Sequence, residues 1–335
     1  MKAKHLLAIL FVLLISSNGF CGTKSGTITY KIKLNASQNA KEARLWLPYP
    51  LSNEHQTIKN VRISGDYDSS AVYRDADSGA IYIYAEWNKF SSPPTLVMRF
   101  HADSKDRRIT PLTDSDNPIP ETVKKYLRST DAIPADDYKK LAAKIVKGKH
   151  TILAKSHAVY DWVVEHTFRD PEVKGCGLGF PGLTLGEHQG GGKCADISAV
   201  FVSLERAAGV PARDVFGLRL ADMKDGDITS AFHCWTEFYL PGTGWVLADP
   251  ADVRKMMLVH KIELKDAGKW RKFFWGGDDL FRVALERDTV GVVFQPAQKG
   301  APLHYFMYPF AQVDGQSLNY FDPKTFTYSV TFKAD

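Results

Sequence analysis

The run Gly190-Gly191-Gly192-Lys193-Cys194 passes directly into an apolar period, and no other feature restricts the fold of this chain as strongly. Ile197, Val200, Phe201, Leu204 and Ala208 recur at steps of three and four. The spacing predicts a buried helix that begins at about Cys194 and ends at Gly209-Val210-Pro211. A cysteine in the first turn of such a helix meets the positive end of the helix dipole and unbonded backbone N–H groups, which favour the thiolate. The glycines ahead of it let a substrate backbone approach closely. Two plainer readings compete. One is a capping cysteine in a tight loop. The other is a phosphate loop, which fails because Glu187 stands where its first glycine belongs and Cys194 replaces the Ser/Thr that would hold Mg²⁺.

The second block is a strand and its return. Phe232, Cys234, Thr236, Phe238 and Leu240 share one face, and His233, Trp235, Glu237 and Tyr239 the other. Pro241-Gly242-Thr243-Gly244 turns the chain, and Trp245 to Pro250 returns. With a three-residue loop, Leu240 opposes Gly244 and Trp235 opposes Asp249. Asp249 then lies on the His233 face, diagonal to the imidazole. A two-residue loop puts it on the wrong face. The pattern permits a Cys–His–Asp triad: a thiolate on a helix N-terminus, an imidazole on a packed strand, and a carboxylate that orients the imidazole.

Four blocks occur in order: Gly192-Lys193-Cys194-Ala195-Asp196, Ala207-Ala208-Gly209-Val210-Pro211-Ala212-Arg213, His233-Cys234-Trp235-Thr236-Glu237 and Gly244 to Pro250. Together they resemble the core of the transglutaminase-like superfamily, and in particular its bacterial exported members. Asp161-Trp162 to Pro171, Lys174 to Gly177 and Leu303 to Gly315 resemble those members more loosely. The resemblance implies an α+β fold: a papain-like transglutaminase core, with the cysteine helix packed on an antiparallel sheet. It also implies Cys194 as nucleophile, His233 as general base and acid, and Asp249 as orienter. Cys234 stands where the family commonly has Ala, and its strand face assigns it to the core.

The remaining site residues are weaker candidates. The Cys194 N–H is one oxyanion donor by position. Gln189 resembles the upstream glutamine of papain-like enzymes, at a different spacing. Trp162 and Trp245 are candidates for the walls of an acyl groove, with core packing as the alternative. Cys176, among glycines, is either a free loop thiol or a disulfide partner. No Cys/His cluster has zinc-ligand spacing, so neither a catalytic metal nor any other cofactor is expected.

The rest of the chain sets the organisation. Lys2 and Lys4 precede the apolar run Leu6 to Ile15 and the small residues Ser16 to Gly19, so residues 1–22 read as a signal peptide too short to anchor comfortably in a membrane. Export leaves Cys176, Cys194 and Cys234, an odd number, so at least one thiol stays free or pairs between chains. Ile28, Tyr30, Ile32 and Leu34 alternate with Thr29, Lys31 and Lys33, and similar short strands predict a small β-sandwich-like domain over 23–102. Residues 103–118 read as a charged, proline-bearing linker, and 119–335 as the catalytic domain with a C-terminal β segment. A formal charge of +5 over 335 residues, widely dispersed, argues against nucleic acid as a partner, and nothing in the mature chain is long and apolar enough to span a membrane.

The expected function is therefore that of an exported, periplasmic or secreted thiol acyl-transfer enzyme. It would hydrolyse peptide or amide bonds in a peptide, a protein or a cell-wall peptide. The alternatives are a protein-crosslinking transglutaminase and a non-catalytic envelope module on the same fold. A thiolate–imidazolium pair is expected to lower the Cys194 pKa and raise that of His233.

Overall fold

The computed structural model describes residues 22–335 except 38, 77, 221–223, 278–280 and 289. The expected signal peptide thus lies, but for its last residue, outside the described residues. The alternation read at the start of the mature chain is a strand, Thr23–Leu34, in which Ile28, Tyr30, Ile32 and Leu34 are buried. It sits in the middle of a five-stranded sheet in the order Gly226–Asp227, Phe326–Ala334, Thr23–Leu34, Thr95–Lys105, Gln56–Gly65. A second five-stranded sheet runs Gln316–Ser317, Phe310–Val313, Glu42–Pro48, Ile81–Asn88, Ser69–Arg74. Leu45, Leu47, Ile83 and Ala85 of the second sheet join Ile28, Ile32 and Phe100 of the first in one core. The opposite face of the second sheet is buried too. There Trp46, Tyr82 and Tyr84 pack with Phe294, Phe306 and Phe310.

Two sequence expectations meet a different arrangement. Phe326–Ala334, grouped by sequence with the catalytic unit, pairs with Thr23–Leu34 in continuous register from Gly26↔Ala334 to Leu34↔Phe326. A strand needs a neighbour for its N–H and C=O groups, and local sequence does not say which distant strand supplies it. The stretch read as a charged, proline-bearing linker begins inside the strand Thr95–Lys105, and its Arg107 is only 3% exposed.

The core is built on the helix Cys194–Ala207, whose residues Cys194 to Arg206 are all buried. Gly209 ends it at φ 79°, where the Val210 N–H donates to the Glu205 carbonyl at 2.9 Å. The helix packs on a four-stranded antiparallel sheet in the order Gly244–Ala248, Phe232–Leu240, Ala212–Arg219, Arg282–Arg287. It is flanked by the helices Ile152–His166 and Pro250–His260. Thr151 caps the first of these by accepting from the Ala154 N–H at 3.2 Å. The segments ahead of it form two short helices, Glu121–Lys124 and Lys139–Ile145, each joined to a 3₁₀ turn. Among the described residues no helix is long and apolar enough to cross a membrane.

Candidate active site

The hairpin has the register of the three-residue loop: Leu240 opposes Gly244 and Thr236 opposes Ala248. Asp249 follows on the His233 face, and His233 Nε2 lies 2.8 Å from Asp249 Oδ2. Asp249 is also the N-cap of Pro250–His260, where its Oδ1 accepts from the Asp252 N–H at 2.9 Å. Each carboxylate oxygen has a separate partner, so the capping role and the role toward the imidazole coexist in one side chain. The Cys194 thiol is the imidazole's other neighbour, close enough for each group to shift the charge state of the other. The three residues named from the sequence are thus brought together, from the helix start to the strand to the following helix cap.

The start of the helix is held by Asp196. Its Oδ2 accepts from the Lys193 N–H at 2.9 Å, and its Oδ1 accepts from the Leu178 and Gly179 N–H groups, both at 2.8 Å. This carboxylate ties the loop containing Cys176 across the nucleophile. Gly177 passes so close that a Cβ there would lie 1.8 Å from Asp196 Oδ2, and its φ of 95° favours glycine as well. The Cys176 carbonyl accepts from the Ala195 N–H at 2.8 Å. Tyr305 Oη donates to the Gly177 carbonyl at 2.7 Å and His304 Nε2 lies 2.6 Å from the Gly179 carbonyl, so the loop is latched from a second side. Under this cover Cys194 is 2% exposed and His233 5%. Among the described residues the Cys194 N–H has no acceptor, which leaves it able to donate to a developing oxyanion.

Behind the imidazole is a buried ionic layer that sequence reasoning missed. Arg282 Nη1 donates to Asp249 Oδ2 at 2.8 Å, and its Nη2 approaches Asp252 Oδ2 at 3.4 Å. Arg219 pairs with Asp252 and stands 3.9 Å from Asp249. Asp252 was legible in part, three residues past Asp249 on the helix that Pro250 opens. Arg219 lies two residues beyond Gly217, the strand partner of His233. Arg282 has no local signal at all. His233, Asp249 and Asp252 converge as a metal site would, but the two guanidinium groups already supply the positive charge there.

These surroundings set the charge states. Burial opposes a thiolate at Cys194, yet hydrogen bonds from Cys176, Cys234 and His233 outweigh it and hold the group well below the ordinary thiol range. Cys176 is raised, chiefly through its hydrogen bond with Cys194, and Cys234 is raised chiefly by burial, so the single thiolate belongs to Cys194. Asp249 is held at about 2, with His233 and Arg282 overcoming the cost of burial. His233 moves opposite to the sequence expectation. Burial lowers its pKa, Arg219 lowers it further, and Asp249 compensates only in part.

The remaining candidates lie elsewhere. Gln189 occupies an exposed turn at φ 49° and forms no hydrogen bond with the triad. Trp162 stacks on His166, one turn along its own helix, at 4.2 Å between centroids. Trp245 is paired with Tyr239 and lies under Arg213, 3.8 Å from the guanidinium carbon. At ~3.3 Å per strand residue, Tyr239 is roughly 20 Å along the strand from His233, so Trp245 does not wall the cleft. Cys176, Cys194 and Cys234 are all free thiols.

A cysteine on a helix start, packed on an antiparallel sheet of which one strand carries histidine and the next leads into aspartate, defines a papain-like fold of the thiol acyl-transfer class. Residues 139–250 match the model of the Transglutaminase-like superfamily. A relative described as an uncharacterized protein of Haemophilus influenzae is 34% identical over 321 residues, covering 87% of this chain and 86% of the relative. The chain belongs to the transglutaminase-like superfamily. A crystal structure described as a candidate cysteine protease from Cytophaga hutchinsonii superposes with a TM-score of 0.56 at 15% identity, covering 93% of this chain and 98% of that one. That likeness extends the shared fold beyond the core to the β-sandwich.

Proposed function

We propose that the protein is an exported thiol enzyme that hydrolyses peptide or amide bonds. The observation that carries this reading is the grouping of Cys194, His233 and Asp249, with the imidazole 2.8 Å from the carboxylate and close enough to the thiol to favour its thiolate. Cys194 Sγ attacks the amide carbonyl, and the oxyanion accepts from the Cys194 N–H. Protonated His233 delivers its proton to the leaving amine, leaving an acyl-enzyme. Water, deprotonated by His233, then releases the acid. Export rests on Lys2, Lys4 and the Leu6 to Ile15 run. A peptide, a protein or a cell-wall peptide fits this chemistry as substrate.

Labelling with iodoacetamide at pH 6, on native protein before and after Cys194→Ala, tests the nucleophile. Rapid single-site labelling that disappears in the variant supports it, and equal labelling of both defeats it. Incubation with a peptide library and a fluorescent amine then separates the outcomes. Cleavage supports hydrolysis, amine incorporation replaces it with crosslinking, and neither points to a non-catalytic module.

A further inference from the structure

The fold gathers three cysteines that are 18 and 40 residues apart in sequence. Cys176 arrives on the latched loop, Cys194 on the helix start, and Cys234 on the strand face that packs against that helix. All three are buried, at 3%, 2% and 0% exposure, and their sulfurs lie within 4.8 Å of one another. An ion about 2.3 Å from each of three thiolates requires sulfurs about 4 Å apart, so the triangle fits with small adjustment.

We propose that Cys176, Cys194 and Cys234 form a trigonal binding site for a soft monovalent d¹⁰ cation, Cu(I), and that occupancy ties up the nucleophilic sulfur. Thiolate sulfur selects soft ions such as Cu(I) over hard ones. Among the described residues no histidine or carboxylate completes the group as a fourth ligand, whereas Zn²⁺ is almost always four-coordinate in such closed sites. His233 has its Nε2 committed to Asp249. The ligand set carries net negative charge once the thiol protons leave to solvent. Arg219 and Arg282 are close enough for charge on Cys194 to be felt at both, which offsets that excess. The site rests on the thiols alone and does not require turnover by Cys194, so it can fail while the proposed acyl transfer stands, and the reverse.

The test is an anaerobic titration of the reduced, purified full chain with Cu(I) against bathocuproine disulfonate, followed by X-ray absorption at the copper edge. The expected result is one Cu(I) per chain, coordinated by three sulfurs and no nitrogen, with iodoacetamide labelling of Cys194 abolished in the loaded protein. Loss of an outer-shell partner already costs a metal site about 10–100-fold in affinity, so Cys176→Ser and Cys234→Ala, each a loss of a direct ligand, should each cost more than about 100-fold. Circular dichroism establishes that each variant is folded, and the absorption spectrum of the unaltered protein decides the matter even where a variant does not fold. Two-sulfur or sulfur–nitrogen coordination, copper affinity unchanged in either folded variant, tighter binding of Zn²⁺ than Cu(I), or no competition with the chelator would each overturn the proposal.

Discussion

The strand Phe232–Leu240 carries buried charge at both ends of one face, and the two ends are built differently. At the far end, Glu237 takes two hydrogen bonds from Arg213, at 2.9 and 2.7 Å, and faces Arg107 at 3.5 Å. At the near end, Asp249 and Asp252 face Arg219 and Arg282, and His233 is added to the set. Trp235 stands between the two ends, with its ring 5.3 Å from Arg107 and 5.0 Å from Arg282. Both ends hold a carboxylate near 2, against the cost of burial, through neighbouring guanidinium groups and, at Asp249, through His233 as well. Guanidinium and carboxylate keep their charges across the physiological range, so the Glu237 end is a fixed brace. The imidazole makes the other end responsive. Its ordinary titration range is the one nearest neutrality among the side chains of this layer, and it is placed where a proton must move.

The comparison breaks most visibly if the carboxylates are interchangeable. Asp249→Asn should lower kcat by about 10⁴-fold in a folded protein, because the ring loses both orientation and charge stabilisation. The acylation burst with a nitrophenyl ester would measure it. The alkaline limb of activity should also move to lower pH, since the imidazolium loses its anion. Near-wild-type bursts would reduce Asp249 to the cap of its helix.

Glu237→Gln tests the brace. Breaking a buried pair by removing one partner typically costs ~3–5 kcal/mol, and urea unfolding at pH 7 should show a loss of that order while the pH limbs of activity stay in place. The stabilisation by a depressed carboxylate is present above its unfolded pKa of about 4.3 and is lost as pH falls through the folded value of about 2. Wild type should therefore lose stability between those limits, and the Gln variant should lose less there. A shift of the activity limbs in this variant would show that the two ends communicate.

A third buried carboxyl sharpens the contrast, because among the described residues no arginine pairs with it. Glu205 has the Ser156 hydroxyl at 2.7 Å, and burial pushes it up to about 8. Its folded pKa lies above the unfolded one, so its contribution is favourable at low pH and is lost as pH rises from about 4.3 toward 8. Glu205→Gln should stabilise the protein by ~1–3 kcal/mol at pH 8 and by little at pH 4, read from melting temperatures at both values. Destabilisation at pH 8 would mean that the carboxylate has a cationic partner after all.

The smallest expected effect is at the responsive end. Burial and then Arg219 depress the imidazolium, so Arg219→Gln should raise the His233 pKa and carry the alkaline limb of the pH–rate profile upward. In the unaltered enzyme that limb should fall below about 6.5, the ordinary histidine value, and give an acidic optimum. An unmoved limb would remove Arg219 from control of the imidazole.

What the sequence determined by itself was local. A period of three and four residues placed the helix that starts at Cys194, because helix geometry repeats on that scale. Alternation placed the strands Thr23–Leu34 and Phe232–Leu240, and the length of one turn set the register that brings Asp249 to His233. The same register already implied that Trp245, opposite Tyr239, lies far from the imidazole. Tertiary structure decided whatever depends on residues distant in the chain. It paired the last strand with the first, brought Arg282 and Arg219 behind the triad, and turned the His233 shift downward. It also closed three separated cysteines into one triangle. The physical reason is one of range. Backbone geometry acts over a few residues and is written in the order of side chains, whereas electrostatics and coordination act through space between elements whose meeting no local pattern records.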